Sequence, residues 1–281
     1  MQVRAQLESP RVTRKELALS RARELLRAGR VEEPPVDVIR LARILGVARI
    51  KTTRLPSSEA CLVPGENAHT ILLSDLSSPR RNRFSIAHEI GHILLRSGGI
   101  RFRGFSRERH DYEERLCDYL AAEIIFPIDF FRNALQDLEP SIDAIGRLAN
   151  RFEATVESTA RRMGELNASG ASVVCWQVHG KEMRIKWHVG HVPRSMRQSH
   201  DSDDMSFGPA LALHADGPMT GYEWSQRPAS LDTISESMSY GGKYPFVITV
   251  ARPDTIWKRS ETKISHRLQQ RQRRGSTCEV S

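Results

Sequence analysis

The chain lacks several things that would each have placed it in a different class of protein. No stretch of its 281 residues is an unbroken apolar run long enough for a membrane-spanning helix. The first residues are broken up by Arg4, Arg11, Arg14 and Lys15, so no apolar leader core is expected there, and the expected location is cytoplasmic. Its four cysteines, Cys61, Cys117, Cys175 and Cys278, are scattered without a C-x-x-C pair. That spacing argues against a disulfide framework or a cysteine zinc ribbon and for reduced thiols. No internal repeat is evident. A length of 281 residues leaves room for a sizeable core and for two domains.

What is present is a short run with unusual chemical content, His88-Glu89-Ile90-Gly91-His92. On an α-helix, residues four apart share a face, so His88 and His92 can offer imidazole nitrogens to one ion. Glu89 lies one position along, where a carboxylate can take a proton from activated water. The flanks suit a helix: Ser78-Pro79 opens it, Phe84, Ala87, Ile90, Ile93, Leu94 and Leu95 recur at helical spacing, and Gly98-Gly99 closes it. Gly91 weakens a helix relative to alanine, which implies that something packs close at that turn.

A catalytic zinc needs a third protein ligand and an open position. The segment Asp111 to Pro127 supplies candidates on a second helix, with Asp111 as N-cap, acidic residues in the first turn and an apolar stripe of Leu116, Leu120 and Ile124. Glu114 and Asp118 are four apart, so one carboxylate can coordinate the ion while the other holds a ligating imidazole by its remaining N–H. Glu113 competes with Glu114 as ligand, and the spacing to Asp118 favours Glu114. An oxyanion-stabilising side chain is not identified; Tyr112 and His110 are near in sequence only.

Arg83-Phe-Ser-Ile-Ala-His88-Glu89-Ile-Gly-His92, followed by Glu114-x-x-x-Asp118-Tyr-Leu-Ala-Ala-Glu-Ile-Ile-Phe-Pro127, resembles the ImmA/IrrE family of metallopeptidases, whose usual pattern is RFxxAHELGH and then ExxANxFAAxLLMP. The resemblance covers about residues 30 to 165. It departs at Cys117-Asp118, where the family commonly has Ala-Asn, and aspartate can orient an imidazole at least as well as asparagine. The resemblance implies an intracellular protease acting on a DNA-binding repressor, often one controlling a mobile element, a stress regulon or a toxin–antitoxin pair.

The expected fold is α+β: a minimal zincin-like metallopeptidase domain over residues 1–135, a helix-turn-helix-like segment over 136–168, a smaller α+β domain over 170–256 and a basic tail over 257–281. Helices are expected at Arg14–Arg27 and Val36–Leu45, and strands at Val47–Lys51, Ala60–Val63 and Thr70–Leu73, the last two as a hairpin. Either Ile71–Ser74 or its hairpin partner is expected to be a free sheet edge that holds substrate by strand addition. Arg101–Arg109, with Phe102 and Phe105 interleaved, reads as a surface loop between the metal helices. Ser141–Leu166 resembles a helix-turn-helix whose second helix offers little base-reading chemistry beyond Arg161 and Arg162, so a structural or substrate-docking role is expected.

Beyond residue 170 the pattern turns to β, with Ser172–Val178 and Met183–Val189 around His179-Gly180, and Phe246–Ala251 further on; Pro193–Asp204 reads as a loop. Members of the resembled family with a long extension include ones with a GAF-like sensory domain, though no motif here establishes that fold. His179, His188, His191 and His214 show no ligand spacing and read as surface or packed residues. Much of the formal net charge of +8 sits at Lys258, Arg259, Lys263, Arg267, Arg271, Arg273 and Arg274, a tail suited to nonspecific contact with nucleic acid.

The expected mechanism uses zinc, or manganese or another divalent metal, held by His88, His92 and Glu114, with Glu89 as general base and Asp118 orienting an imidazole, that of His88 by preference. The alternatives are a DNA-binding regulator using the helix pair and tail, and a non-catalytic partner of a repressor or toxin. A binding module has no need of the general base, which weighs against the last.

Overall fold

The computed structural model describes residues 13–55, 58–66, 68–97, 106–166, 170–192, 197, 199–203, 208–213, 219–222, 233–241 and 245–253. The fold is α+β and divides into two compact units: residues 1–134 with 149–155, and residues 135–148 with 156–281. Among the described residues no helix is long and apolar enough to cross a membrane.

In the first unit, helix α1 (Arg14–Ala28) opens on a capping box: the Thr13 hydroxyl accepts from the Glu16 N–H, and the Glu16 carboxylate accepts from the Thr13 N–H. Helix α2 (Val38–Ile44) is two residues shorter at its start than its hydrophobic pattern predicts. The reason is local: Asp37 caps it by accepting from the Arg40 N–H at 2.9 Å, leaving Val36 outside. Three strands follow, β1 (Val47–Thr53), β2 (Ala60–Val63) and β3 (His69–Ser74), in the order β1-β3-β2. β1 pairs parallel with β3, and β2 pairs antiparallel with it. β3, which contains Ile71–Ser74, is therefore central, and its hairpin partner β2 is one of the two edges, β1 being the other.

Ile71 and Leu73 turn inward from β3 and are buried, and helix α3 (Pro79–Ser97) packs on the sheet at β2 and β3. Ser78 caps α3 by accepting from the Arg81 N–H, and Pro79 suits its first position because no N–H is needed there. Arg83 holds the helix start in place: it donates to the carbonyls of Val36 (2.9 Å) and Glu153 (3.1 Å) and pairs with the Glu153 carboxylate. Helix α4 (Arg107–Ile125) lies against α3 and α1. It begins a turn before the predicted Asp111, with Ser106 as N-cap residue, so Arg107–Arg109 of the expected loop are helical. The rest of that loop, 101–105, lies outside the described residues, as does the tail. Between α1 and α4, the buried Glu123 pairs with Arg23 at 2.9 Å and Lys15 lies over the Tyr119 ring. Helix α5 (Ile128–Leu135) buries Phe131 against Phe126 and Phe152.

The unit boundary runs through helix α6 (Ile142–Arg151). In the second unit, helix α7 (Val156–Leu166) packs on strands β4 (Ser172–His179) and β5 (Glu182–Val189). The sheet continues with β6 (His200–Asp201), β7 (Met219–Tyr222), β8 (Thr233–Tyr240) and β9 (Phe246–Pro253), short helix α8 (Gly208–Leu211) lying between β6 and β7 in sequence. All pairings are antiparallel, in the order β6-β5-β4-β9-β8-β7. Val174, Trp176, Met183, Val192, Ala210, Ala212 and Val247 form one buried cluster. The Trp176 indole N–H is satisfied by Thr249 Oγ1 at 3.1 Å, so the largest fully buried side chain brings no unpaired donor into the core.

Candidate metal centre

The site is built where helices α3 and α4 pack together, and they pass closest at Gly91. A Cβ at that position would sit 3.1 Å from Cys117 Cα, 3.2 Å from its Cβ and 3.3 Å from its carbonyl oxygen. The missing side chain lets α4 pass close to the turn of α3 that carries His88 and His92, and so brings the α4 carboxylates within reach of both rings.

The two imidazoles stand edge to face, their centroids 5.1 Å apart. His88 Nε2 lies 3.1 Å from Glu114 Oε2, and His92 Nε2 lies 3.4 Å from Glu114 Oε1. With bonds of about 2.0–2.2 Å to nitrogen and oxygen, neighbouring donors of a tetrahedral ion stand roughly 3.4 Å apart. Glu114 therefore stands at the spacing from each ring that a small divalent cation requires between neighbouring donors, through a different oxygen to each. On the far nitrogens, His88 Nδ1 is 3.0 Å from Asp118 Oδ1 and His92 Nδ1 is 3.4 Å from Glu113 Oε1. His110, one turn before Glu114 on α4, brings Nδ1 to 3.8 Å from Glu114 Oε1 while remaining 71% exposed. Its i, i+4 spacing from Glu114 was the available sign of this proximity.

Glu89 is buried, between the helix and strand β2. Burial pushes its carboxyl above the ordinary carboxylate value; the charges of His92 and His88 and a hydrogen bond from the Leu62 backbone N–H pull the other way, and Glu114 adds to the rise. Burial by itself would lower the His88 imidazole, but the Asp118 hydrogen bond and the charges of Asp118, Glu114 and Glu89 together carry it above its ordinary value. A ring that so favours a proton sits in a field that favours any cation.

Cys117 offers a competing donor: its Sγ and one nitrogen from each of His88 and His92 lie within 4.8 Å of one another. Burial, and after it the charges of Glu114, Glu113, Glu89 and Asp118, push this thiol far up in the metal-free protein, and its Cα, Cβ and carbonyl oxygen pack against Gly91. The Glu114 carboxylate, 3.1 and 3.4 Å from the two Nε2 atoms, is the other candidate for the third donor. Among the described residues, His88, His92 and Cys117 form the one group of three or more potential ligands whose donor atoms all lie that close together.

Helix α7 bears on the DNA-reading alternative. Thr159, Ala160, Arg162, Met163 and Gly164 are buried, and Gly164 sits against Val173 and Val189 of the sheet. Its Glu157 takes the Trp187 indole N–H and pairs with Lys186. Arg161 and Glu165 pair with each other at 3.6 Å. Little of this helix remains to enter a major groove.

Residues 45–163 match a peptidase family model described as the IrrE N-terminal-like domain. The radiation response metalloprotease IrrE of Deinococcus deserti is 28% identical over 132 residues, 44% of this chain and 46% of that protein. The protein of the same name from Deinococcus radiodurans is 31% identical over 106 residues, 34% of this chain and 31% of that one. The chain thus spans less than half the length of either relative. A solved structure described as a Mycobacterium tuberculosis transcriptional regulator superposes with a TM-score of 0.63 at 16% identity, covering 85% of this chain and 76% of that one, which shows a shared fold.

Proposed function

Residues 45–163 belong to the ImmA/IrrE metallopeptidase family, and from that premise we propose that the chain is a zinc-dependent endopeptidase of the cytoplasm that cuts a DNA-binding repressor. The observation that carries this reading is the convergence of His88 Nε2, His92 Nε2 and Glu114 at ion-binding separations with the buried Glu89 beside them. An ion held by His88, His92 and Glu114 supplies a Lewis acid for the scissile carbonyl and acidifies water, with Zn²⁺ suiting the His₂Glu donor set and Mn²⁺ also compatible with it.

Everything else is done by the chain. Glu89 accepts a proton from the attacking water and delivers it to the leaving amine, and its burial strengthens its hold on that proton in between. Asp118 fixes the His88 ring through Nδ1, which leaves Nε2 with its lone pair for the ion. Edge strand β2 runs beside Glu89, and an extended substrate segment pairs with its free backbone groups, bringing one peptide bond to the site. The substrate is a helix-turn-helix repressor, whose removal derepresses stress-response or mobile-element genes. The basic tail gives weak, sequence-independent contact with DNA near such targets. The covered state of α7 weighs against a regulator that reads DNA with its helix pair.

The test is incubation of the purified full chain with candidate repressors and Zn²⁺ or Mn²⁺, beside a Glu89→Gln control. Cleavage at one site, lost in the control and on chelation, is expected. A Glu89→Gln protein that cut as fast as the parent would overturn the assignment, and intact repressor held in a tight complex would point to the non-catalytic partner.

A further inference from the structure

We propose that Glu113 is a positioning residue for His92, so that each imidazole of the pair is aimed by its own carboxylate; this deepens the metallopeptidase reading and rests on it for the identity of the ion. Glu113 and Glu114 are neighbours in sequence, and composition alone cannot say which one binds the ion. Their partners separate them. Glu114 reaches the Nε2 atoms of both rings, at 3.1 and 3.4 Å, whereas Glu113 reaches Nδ1 of His92, at 3.4 Å. A carboxylate on the nitrogen away from the ion cannot be a ligand in the same arrangement. What it can do is accept the Nδ1–H hydrogen bond, which forces the tautomer that presents a lone pair at Nε2 and stops the ring from turning.

The pattern repeats that of Asp118 on His88 Nδ1 at 3.0 Å, from the same helix and one turn on. The two supports differ in setting. The Asp118 side chain is 54% exposed and that of Glu113 is 24% exposed, so the longer bond is the less hydrated one. A helix turns by about 100° per residue, so Glu113 lies about 100° to one side of Glu114 and Asp118 about 40° to the other, and α3 offers its two rings one turn apart. That geometry is why Glu113 and Asp118, rather than a residue and its i+4 partner, flank the ligand Glu114 on either side.

The experiment uses the full chain and its Glu113→Ala and Glu113→Gln variants. Zn²⁺ affinity is read by competition with a chromogenic chelator, and the His92 tautomer by long-range proton–nitrogen NMR on histidine-labelled protein with and without Zn²⁺. Loss of the acceptor in Glu113→Ala is expected to weaken Zn²⁺ binding by about ten- to a hundredfold. In the metal-free protein the His92 ring then becomes a mixture of tautomers while His88 keeps its own. Glu113→Gln, nearly isosteric and retaining a carbonyl acceptor, is expected to fall between the two and controls for folding. The proposal is overturned if Glu113→Ala binds Zn²⁺ within twofold of the parent and leaves the His92 tautomer unchanged. It is also overturned if both rings lose their tautomer together, since that marks collapse of the helix pair. Should the parent chain bind no Zn²⁺, the peptidase reading fails, and the metal-free tautomer comparison still decides the role of Glu113.

Discussion

A single residue's surroundings decide what its side chain can do, and the thiols show this without any substrate. Cys61 is exposed on β2, whereas Cys175 is buried and pushed up to about 12 by that burial. In a Cys278→Ser background, we expect a disulfide reagent at neutral pH to modify Cys61 quickly and Cys175 only after unfolding. Burst stoichiometry in native and denatured protein checks this, and fast labelling of Cys175 in the native state would contradict it. The same shift bears on stability. Between the ordinary thiol value of 9.0 and about 12, the unfolded chain has lost the Cys175 proton while the folded chain keeps it. Stability therefore falls as pH rises through that window, with no contribution below it. Denaturant midpoints in Cys175→Ala should fall less steeply there than in the parent.

Helix packing sets the next scale. A Cβ at residue 91 meets backbone atoms of Cys117, which cannot swing aside as a side chain would. We expect Gly91→Ala to lose about 1–3 kcal/mol to overpacking, against a gain of about 1 kcal/mol in helix propensity, for a net destabilisation visible in urea titration. Shrinking residue 117 does not relieve the clash, since Cα and the carbonyl oxygen remain. Gly164→Ala is the corresponding case in the second unit, with Val189 Cβ only 2.9 Å away, and it should also lower the midpoint. Much at this scale was legible in the sequence, since α3 and α4 carry strong apolar periodicity and the hairpin β2–β3 is short and regular. The start of α4 was not, because Glu108 stands between Arg107 and Arg109 in its first turn, and the stronger acidic run with Asp111 before it lies a turn further on. β8 was missed for a different reason: Ser235 and Ser237 occupy its buried positions, so the strand shows no apolar alternation. The parallel pairing of β1 with β3 joins strands that are not consecutive in the chain, which no local pattern encodes. At the candidate site, the ligand types were readable from spacing. The Glu113–His92 and Leu62–Glu89 contacts were not, because each joins elements whose mutual orientation is set by packing.

For the molecule as a whole, two compact units and a strongly basic composition raise the question of nucleic acid. With α7 covered, any DNA affinity is expected to be indifferent to sequence and to fall steeply with salt. Removing residues 257–281 should weaken it and flatten the salt dependence, while Arg161→Ala should leave it unchanged. Anisotropy titrations on random and promoter duplexes over a range of salt check both. Tight discrimination between the duplexes that is lost in Arg161→Ala would contradict the expectation.

The absent carbon at residue 91 also constrains descent. Because it leaves room for the backbone of residue 117, whatever side chain stands there, the histidine motif and the acidic motif cannot drift independently although 26 residues separate them. A lineage that replaced this glycine would have to shift α4 against α3 by a few tenths of an ångström, so a change at residue 91 is felt at the carboxylates of the other helix.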